Sequence, residues 1–364
     1  MKRAISTRRF GILLAIGVPL LSTVAFGQTA MFSVKALPIL PGYTQAVAIG
    51  INNAGDVVGI VSPSVVLQPQ YAVIWQNGMP TLLGAVAGAT QSSARSINNA
   101  GQVVGNLQTS IGNQAVIWNN GIPTLLPPPP SLPLPSPQYK QTFASSLNDA
   151  GQVSGYSVSN TGSELALVWN GVTPTELGRD GNQYGVATGI NLNGLVVGKI
   201  YDAAVVWHGT TPTALPKFSV PNAGGEALAV NNSGIVVGDA VTPASMPKTH
   251  AVAWANGVIT DLGSLTAEKS FANAVNNRGI IVGQSNLDDG GGNGHAVIWS
   301  RIGAPIQDLD SLISAEAASE VHLTGAYSIN DNCTIVVGGY TKKTKTAEAL
   351  LLILNDPSKC VNGL

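Results

Sequence analysis

Residues 93–105 read Ser-Ala-Arg-Ser-Ile-Asn-Asn-Ala-Gly-Gln-Val-Val-Gly, and variants of this stretch occur seven times along the chain. Each copy has an apolar residue, Asn, usually a second polar residue, a short gap, Gly in all but the last copy, two or three apolar residues and then another Gly. The copies begin at Ile51, Ile97, Leu147, Ile190, Val230, Val275 and Ile329. A repeat of roughly 40 to 50 residues is typical of solenoids and β-propellers.

The Asn-containing segment of each copy predicts a tight turn between two strands. Asn-Asn-Ala-Gly suits a type I turn followed by Gly in the left-handed conformation, which closes a hairpin with a bulge. The side chain of the first Asn can accept hydrogen bonds from its own turn. We therefore interpret the first Asn of each copy as a structural residue. These residues are Asn52, Asn98, Asn148, Asn191, Asn231, Asn276 and Asn330.

A second hairpin follows the first in each copy. In the second copy, residues 114–118 form an apolar strand, Asn120-Gly121 is a turn signal, and residues 122–126 form the next strand. The Trp residues of the chain all stand at the end of the first of these two strands. A large ring at a fixed repeat position predicts packing between repeats, with sugar stacking as the alternative. They are Trp75, Trp118, Trp169, Trp207, Trp254 and Trp299.

Two hairpins per repeat give four strands, which is the composition of a propeller blade. The seventh copy lacks a fourth strand, whereas residues 33–37 resemble a fourth strand without a blade. Pairing the two predicts an all-β, seven-bladed propeller over residues 28–355, in which a strand at about residues 32–38 completes blade seven. Residues 356–364 form a C-terminal tail. The alternative is an open β-repeat solenoid.

Small residues recur in the first strand of each copy. Ala48, Ala94 and their equivalents stand three residues before the apolar residue that opens the copy. Since alternate residues of a strand share a face, this pattern predicts that the first strand is the innermost, with small side chains around the axis. Arg95 is the charged exception, and we interpret it as pairing across a blade interface.

The first 27 residues have the features of a signal peptide. A basic start is followed by an apolar run from Phe10 to Phe26, and small residues at 25 and 27 predict cleavage after Gly27. An uncleaved anchor is the alternative, and Arg8-Arg9 leaves Sec and twin-arginine export both open. We expect an exported protein, extracellular or periplasmic, without a membrane span after cleavage.

Composition bears on the partner. The chain beyond residue 27 has 14 basic and 19 acidic residues. This mildly acidic, charge-poor balance argues against nucleic acid as a partner.

The two cysteines predict a disulfide. Cys333 occupies the turn position that is Gly in the other copies, and Cys360 lies in the tail. Because export favours oxidation, an even pair suggests one bridge that attaches the tail to blade seven. Two free thiols are the alternative.

Polar loops of the third, fifth and sixth copies are the candidate ligand-binding segments. Variable loops on a rigid scaffold commonly carry binding residues. The candidates are His250, Glu268, Lys269, Asp288, Asp289, His295, Arg179 and Asp180. We expect no cofactor, with Ca²⁺ at residues 288–295 as the alternative to a simple turn. The four histidines do not have the sequence spacing of a zinc motif.

The repeat also resembles a known family. His250-Ala251 and His295-Ala296, each followed by two apolar residues and Trp, resemble the HAF-repeat extracellular proteins, as does Ile-Asn-x-x-Gly-x-Val-Val-Gly. The resemblance covers residues 31–354 and implies export by a bacterium, without implying an activity. Other residues replace the His in five copies, which argues against a catalytic role for it. These are Tyr71, Gln114, Leu165, Ala203 and Glu348.

Function is predicted less sharply than fold. The sequence contains no nucleophile elbow, phosphate loop or dinucleotide fingerprint. We expect a secreted, non-enzymatic scaffold that binds a protein or a glycan through the face that carries its long loops. One alternative is a lyase or hydrolase acting on a polysaccharide or peptide, with His250 and Glu268, or His295 and Asp288, as acid and base. Another is a cell-surface structural or adhesion module.

Overall fold

The repeat folds as a four-stranded antiparallel sheet, and seven such sheets form a β-propeller. The structure is a computed structural model that describes residues 30–63, 69–130, 139–179, 185–221, 223–243, 248–266, 269–286 and 294–362. The predicted signal peptide lies outside the described residues. The prediction of a seven-bladed propeller with four strands in each blade is confirmed, and the solenoid alternative is wrong.

The described part of the chain has strand β1 (Phe32–Ala36) first, and the blades follow in sequence order. Blade one contains β2 (Gln45–Ile51), β3 (Val57–Ser62), β4 (Tyr71–Gln76) and β5 (Met79–Leu82). Blade two contains β6 (Gln91–Ile97), β7 (Val103–Thr109), β8 (Gly112–Asn119) and β9 (Ile122–Leu126). Blade three contains β10 (Tyr139–Leu147), β11 (Gln152–Ser159), β12 (Glu164–Asn170) and β13 (Thr173–Glu176).

The remaining blades repeat this order. Blade four contains β14 (Gly185–Ile190), β15 (Val196–Ile200), β16 (Ala203–His208) and β17 (Thr211–Ala214). Blade five contains β18 (Gly225–Val230), β19 (Val236–Val241), β20 (Thr249–Ala255) and β21 (Val258–Gly263). Blade six contains β22 (Ser270–Val275), β23 (Ile281–Asn286), β24 (Gly294–Trp299) and β25 (Gln307–Asp308). Blade seven contains β26 (Val321–Ile329), β27 (Ile335–Thr341) and β28 (Ala347–Leu354).

Blade seven is completed from the other end of the chain. Strand β1 pairs antiparallel with β28, with Phe32 opposite Leu354 and Ala36 opposite Leu350. The backbone N–H of Leu37 continues the pairing with a 2.9 Å hydrogen bond to the carbonyl of Ala349. This contact joins the two ends of the chain, so the ring closes as the sequence predicts.

Glycine is required at two positions of the repeat, for two different steric reasons. The turn glycines, such as Gly101 with φ +76°, adopt the left-handed conformation that side chains disfavour. The strand glycines face a bulge in the first strand of the blade. A Cβ at Gly105 would lie 1.9 Å from the carbonyl oxygen of Ser93, so no other residue fits there without moving the backbone.

The cores lie between successive blades. One cluster joins Val58 and Ile74 of blade one to Ala94 and Trp118 of blade two. Every Trp is at most 3% exposed. Each indole N–H also donates to a backbone carbonyl of the segment that precedes its own blade. The acceptors, in chain order, are the carbonyls of Pro38, Gly84, Pro127, Gly178, Pro216 and Leu262, at 2.6–2.9 Å.

Short helices occupy the links around blade seven. A 3₁₀ helix (Leu309–Ser311) and α1 (Ala315–Glu320) connect blade six to blade seven, and α2 (Ser358–Asn362) follows the last strand. The predicted disulfide is present and joins Cys333 in the blade-seven turn to Cys360 in α2. Within the described ranges, these helices are too short to cross a bilayer.

Candidate functional site

The antiparallel blades give the propeller two different faces. The turns that join strands one and two, and strands three and four, of each blade lie on one face, here called the short-turn face. The loops that join strands two and three, together with the connections between blades, lie on the opposite face. We call this the long-loop face. The four-residue Asn turns are uniform, so differences between blades are concentrated on the long-loop face.

A closed belt of asparagines surrounds the axis on the short-turn face. The first Asn of each turn donates from Nδ2 to the backbone carbonyl of the corresponding Asn in the next blade. Asn98, for example, donates to Asn148 at 3.1 Å, and Asn330 donates back to Asn52 at 3.0 Å. All seven bonds measure 2.9–3.1 Å. The Oδ1 atoms accept from backbone N–H groups of their own turns, so each side chain supports both its turn and the ring.

A second ring lies beside this belt and has one gap. The next turn residue accepts from the backbone N–H of its counterpart in the preceding blade, as Asn99 does from Asn53 at 2.8 Å. Six blade junctions have this bond. The seventh would need an acceptor at position 192, where Leu192 is 49% exposed.

Asp331 lies in the same second ring. Burial acts to raise the pKa of the Asp331 carboxyl, but hydrogen bonds from Asn277 and Asn53 outweigh it and lower the pKa. The carboxylate is therefore held in its ionised form. A small cavity of about 170 Å³ at this end is lined by the same turn residues.

A larger cavity lies on the axis between the belt and the long-loop face. It has a volume of about 420 Å³ and is bounded by the bulge residues of the seven innermost strands. Its polar lining includes Arg95, Ser145, Thr188, Asn273 and Tyr327. The sequence predicted small side chains here, and it did not predict that these polar groups would share one space.

Arg95 is the charged residue of this axial cavity. Its side chain is exposed and makes no hydrogen bond or ion pair with the described part of the chain. Among the described residues, Arg95 therefore forms no ion pair across a blade interface. The bulge in β6 places it at the axial cavity, where its charge also acts on the Tyr156 phenol of blade three. Burial raises the pKa of the nearby Tyr327 phenol, which keeps that hydroxyl protonated as a donor.

A group of charged residues lies nearer the long-loop face, on the second strands of blades four and five and the first strand of blade five. Lys199 of blade four forms a 2.9 Å ion pair with Glu226 of blade five, and Glu226 stands opposite Asp239 in the sheet. Burial, reinforced by the Glu226 charge and opposed by Lys199, raises the pKa of Asp239 to about 7. Burial lowers the pKa of Lys199, but its hydrogen bond and charge interaction with Glu226 outweigh this, so the pKa is raised. The group therefore contains a carboxyl that can gain or lose its proton near neutral pH.

A histidine cluster lies where blade six meets blade seven. His295 Nδ1 lies 2.6 Å from Asp308 Oδ2, and His322 Nδ1 lies 2.7 Å from Asp310 Oδ2. The two imidazole rings contact each other edge to face, with centroids 4.6 Å apart. His322 Nε2 lies 3.2 Å from the carbonyl oxygen of Gly294. Two histidines 27 residues apart thus meet with two carboxylates, which provides the donor atoms of a possible metal site.

His250 forms a simpler dyad in blade five. Its Nδ1 lies 3.1 Å from both carboxylate oxygens of Asp261. Its Nε2 is buried and has no hydrogen-bond partner among the described residues. His295 and Asp308 occupy the corresponding positions in blade six. The recurrence of this pair in two blades is consistent with a structural role, in which the third and fourth strands of a blade are tied together.

The sequence-predicted binding residues do not form one described site. Glu268, Asp288, Asp289 and Asp180 lie outside the described residues. No hydrogen bond or ion pair among the described residues joins His250 to His295. Lys269 is exposed, and Arg179 lies 3.9 Å from Glu176 in blade three. Of the acid and base pairs considered for catalysis, only the two histidines are described, and their Nδ1 atoms contact Asp261 and Asp308.

Several residues of these sites were missed from the sequence. Lys199 and Asp239 directly follow the glycine of the Val-Val-Gly strand, a position that varies in type from copy to copy. Because the residue type varies at this fixed position of the repeat, the variation could have pointed to these residues as candidates for binding. Asp310 and His322 lie outside the repeated motif, in the long connection to blade seven and the start of β26, so no repeat position pointed to them.

No protein-family model matches this chain, and no curated protein matches it in sequence. Solved structures with a similar fold include a catalytically inactive virginiamycin B lyase from Staphylococcus aureus with quinupristin. The match has a TM-score of 0.51 and 11% identity, and covers 89% of this chain and 99% of the lyase. A puromycin-hydrolyzing peptidase from Mycobacterium tuberculosis matches with a TM-score of 0.50 and 13% identity, over 88% of this chain and 55% of the peptidase.

A third structure, described as YCF48 bound to D1 peptide, has a TM-score of 0.46 and 12% identity, and the match covers 90% of this chain and 98% of that one. The matches to the virginiamycin B lyase and the puromycin-hydrolyzing peptidase show the propeller fold alone.

Proposed function

We propose that this chain is an exported, non-enzymatic propeller that binds a protein partner through its long-loop face, with an acidic group of the partner reaching Arg95. The observation that carries this proposal is the exposed guanidinium of Arg95 at the axial cavity, which has no hydrogen bond or ion pair within the described ranges. A guanidinium forms two parallel hydrogen bonds with a carboxylate, which makes a side chain or C-terminal carboxylate its natural ligand.

The direction of approach follows from the belt. Seven asparagines and their turn backbones surround the axis at the short-turn end and bond to one another. Among the described residues, a segment that enters from the long-loop face meets no such ring before it reaches Arg95. The long-loop face is therefore the binding face in this proposal.

The chemistry of the cavity favours binding over catalysis. Hydroxyl, amide and guanidinium groups line it together with aliphatic residues, and its described lining contains neither a carboxylate nor an imidazole. Carboxylates and imidazoles are the commonest general acids and bases, and Tyr327 is the one titratable side chain in this described lining besides Arg95. Arg95 and its neighbours can therefore recognise a ligand, but they do not provide a pair of general acid and general base.

The state of the tryptophans favours a protein over a glycan. Sugars commonly stack on exposed aromatic faces, whereas all six indoles are buried between blades and their N–H groups have carbonyl partners. The Cys333–Cys360 disulfide supports the proposed location outside the cytoplasm, because such bridges persist in oxidising compartments. N-terminal sequencing of the protein recovered from medium, periplasm and cell surface tests export. The fraction in which the protein is found distinguishes a freely secreted protein from one attached to the cell surface.

Panning a random peptide library on the immobilised mature protein tests the binding proposal. A polyuronate, tested in parallel, represents an acidic glycan as the alternative ligand. We expect recovery of acidic peptides whose affinity falls roughly tenfold to a hundredfold in Arg95→Ala, the loss of one charged hydrogen-bonded pair. Arg278→Ala is the matched control, because Arg278 is an exposed arginine on the short-turn face. Equal peptide affinity in Arg95→Ala and wild type would overturn the proposal, as would binding to the polyuronate alone.

A further inference from the structure

The histidine cluster between blades six and seven has the composition of a metal site. His295, Asp310 and His322 each offer one ligand atom, and these atoms lie within 4.8 Å of one another. They come from three separate elements, β24, the 3₁₀ helix and β26, which meet at this point. We propose that these three side chains bind a zinc ion.

The existing hydrogen bonds indicate which nitrogen of each ring faces the metal. Metal-binding histidines usually donate their other ring N–H to a carboxylate or a backbone carbonyl. For His295, Nδ1 donates to Asp308, so Nε2 is the ligand. For His322, Nε2 lies 3.2 Å from the carbonyl oxygen of Gly294, which can accept the Nε2–H of a zinc-bound ring, so Nδ1 is the ligand beside Asp310. Each ring thus already has the supporting contact that a metal ligand requires.

The carboxylate ligand is also held in place. Asp310 Oδ1 accepts from the backbone N–H of Leu323 at 3.0 Å, which leaves Oδ2 for the metal. Oδ2 lies 2.7 Å from His322 Nδ1, whereas adjacent ligands of tetrahedral zinc are about 3.3 Å apart, given bond lengths near 2.0–2.1 Å. Binding therefore requires these two atoms to separate by roughly half an ångström, a change within reach of side-chain rotation.

The donor set favours zinc over the Ca²⁺ that the acidic loop suggested. Calcium takes six to eight oxygen ligands, whereas two imidazoles and one carboxylate suit zinc. The His295, Asp310 and His322 side chains are 17%, 16% and 11% exposed, so an ion can reach them from solvent. Three protein ligands leave the fourth tetrahedral position for water or for an atom of a ligand.

Zinc binding must also displace a proton. In the metal-free cluster, His322 Nδ1 is hydrogen-bonded to Asp310 Oδ2, and the proton of that bond is the one that zinc replaces. Zinc takes the position between Nδ1 and the carboxylate oxygen.

The proposal is tested by titrating the untagged mature protein with zinc sulfate in a calorimeter, and with Co²⁺ as a spectroscopic substitute. We expect one ion per chain and the visible absorption of tetrahedral Co²⁺. His295→Ala and Asp310→Asn should each weaken zinc binding about tenfold to a hundredfold or more. Circular dichroism of the variants shows that the propeller is folded.

His208→Ala and His250→Gln are the matched controls. His208 is exposed in blade four, and His250 pairs with a single carboxylate without a second histidine. Both should retain wild-type zinc affinity. Absence of zinc binding at neutral pH, or equal zinc affinity in His295→Ala and wild type, would overturn the proposal. The titration uses the metal alone, so its result is independent of whether a protein partner binds at Arg95.

Discussion

Asn330 donates its side-chain amide to the backbone carbonyl of Asn52 at 3.0 Å, across 278 residues of sequence. This bond completes the asparagine belt between blades seven and one, and β1 pairs with β28 within blade seven at the outside of the ring. Closure of the ring thus has an inner contact beside the axis and an outer one at the fourth strand. Both contacts join distant parts of the chain, so both form late if the blades assemble in chain order.

Asn330→Asp should destabilise the propeller by at least about 1–3 kcal/mol, the cost of leaving a buried hydrogen-bonding group unpaired. The substitution keeps an oxygen that accepts from Asn332 and Thr334 in the turn, but it removes the Nδ2 donor to Asn52. Urea unfolding measures the change in the free energy of unfolding. Asn119→Asp is the control, because Asn119 is exposed and serves as an acceptor within one blade. Equal stability of Asn330→Asp and wild type would mean that the belt bond has no net effect.

Leu192→Asn should stabilise the protein by about 0.5–1.5 kcal/mol, the net contribution of one hydrogen bond. The new side chain can accept from the backbone N–H of Asp149, as Asn99 accepts from Asn53 in the equivalent position. Leu192→Ala separates this effect from the loss of an exposed apolar residue. A lower melting temperature for Leu192→Asn than for Leu192→Ala would contradict the expected bond.

The fold was predictable because each of its determinants is a local pattern that the sequence repeats. The Gly101 equivalents mark the turns, the Trp positions mark the third strands, and the unmatched strand at residues 32–36 marks the closure. The pairing of Cys333 with Cys360 was predictable because the chain has two cysteines. These inferences needed the residue types and their spacing, and no knowledge of how blades face one another.

The site was less predictable because its contacts join different blades. The side chains of the asparagine belt donate to backbone carbonyls. Because every residue has a backbone carbonyl, the residue types do not show which carbonyls are the acceptors. Arg95 reaches the axis because of a bulge in β6. The sequence of this strand does not reveal toward which side the bulge directs the side chain. His295 and His322 meet through the 3₁₀ link between two blades, a geometry that their spacing does not encode.

Removing the disulfide should lower stability by roughly 2–4 kcal/mol, as expected for a loop of 27 residues. The informative variant is Cys333→Gly with Cys360→Ser, because it restores the glycine that other blades have at this left-handed position. Cys333 has φ +59°, so Cys333→Ala with Cys360→Ser should be less stable than the glycine variant. Thermal unfolding with and without reductant measures both effects. Wild-type protein that shows no shift on reduction would indicate that the bridge does not stabilise blade seven.

Asp239 should make stability depend on pH in the opposite sense to most carboxyls. Burial, together with the Glu226 charge, raises its pKa from 3.8 to about 7 in the folded protein. The folded state therefore binds the proton more tightly than the unfolded state, and this contribution to stability is fully present below pH 3.8. It is lost as the pH rises through about 7.

Asp239→Asn removes this titration and keeps the size of the side chain. Asn106 occupies the corresponding position in blade two, so an amide is compatible with the backbone there. We expect the melting temperature of the variant, relative to wild type, to rise between pH 5 and pH 8. Asp202→Asn, at an exposed carboxylate of blade four, controls for the loss of one negative charge. A difference between Asp239→Asn and wild type that stays constant from pH 5 to pH 8 would show that Asp239 does not titrate in this range.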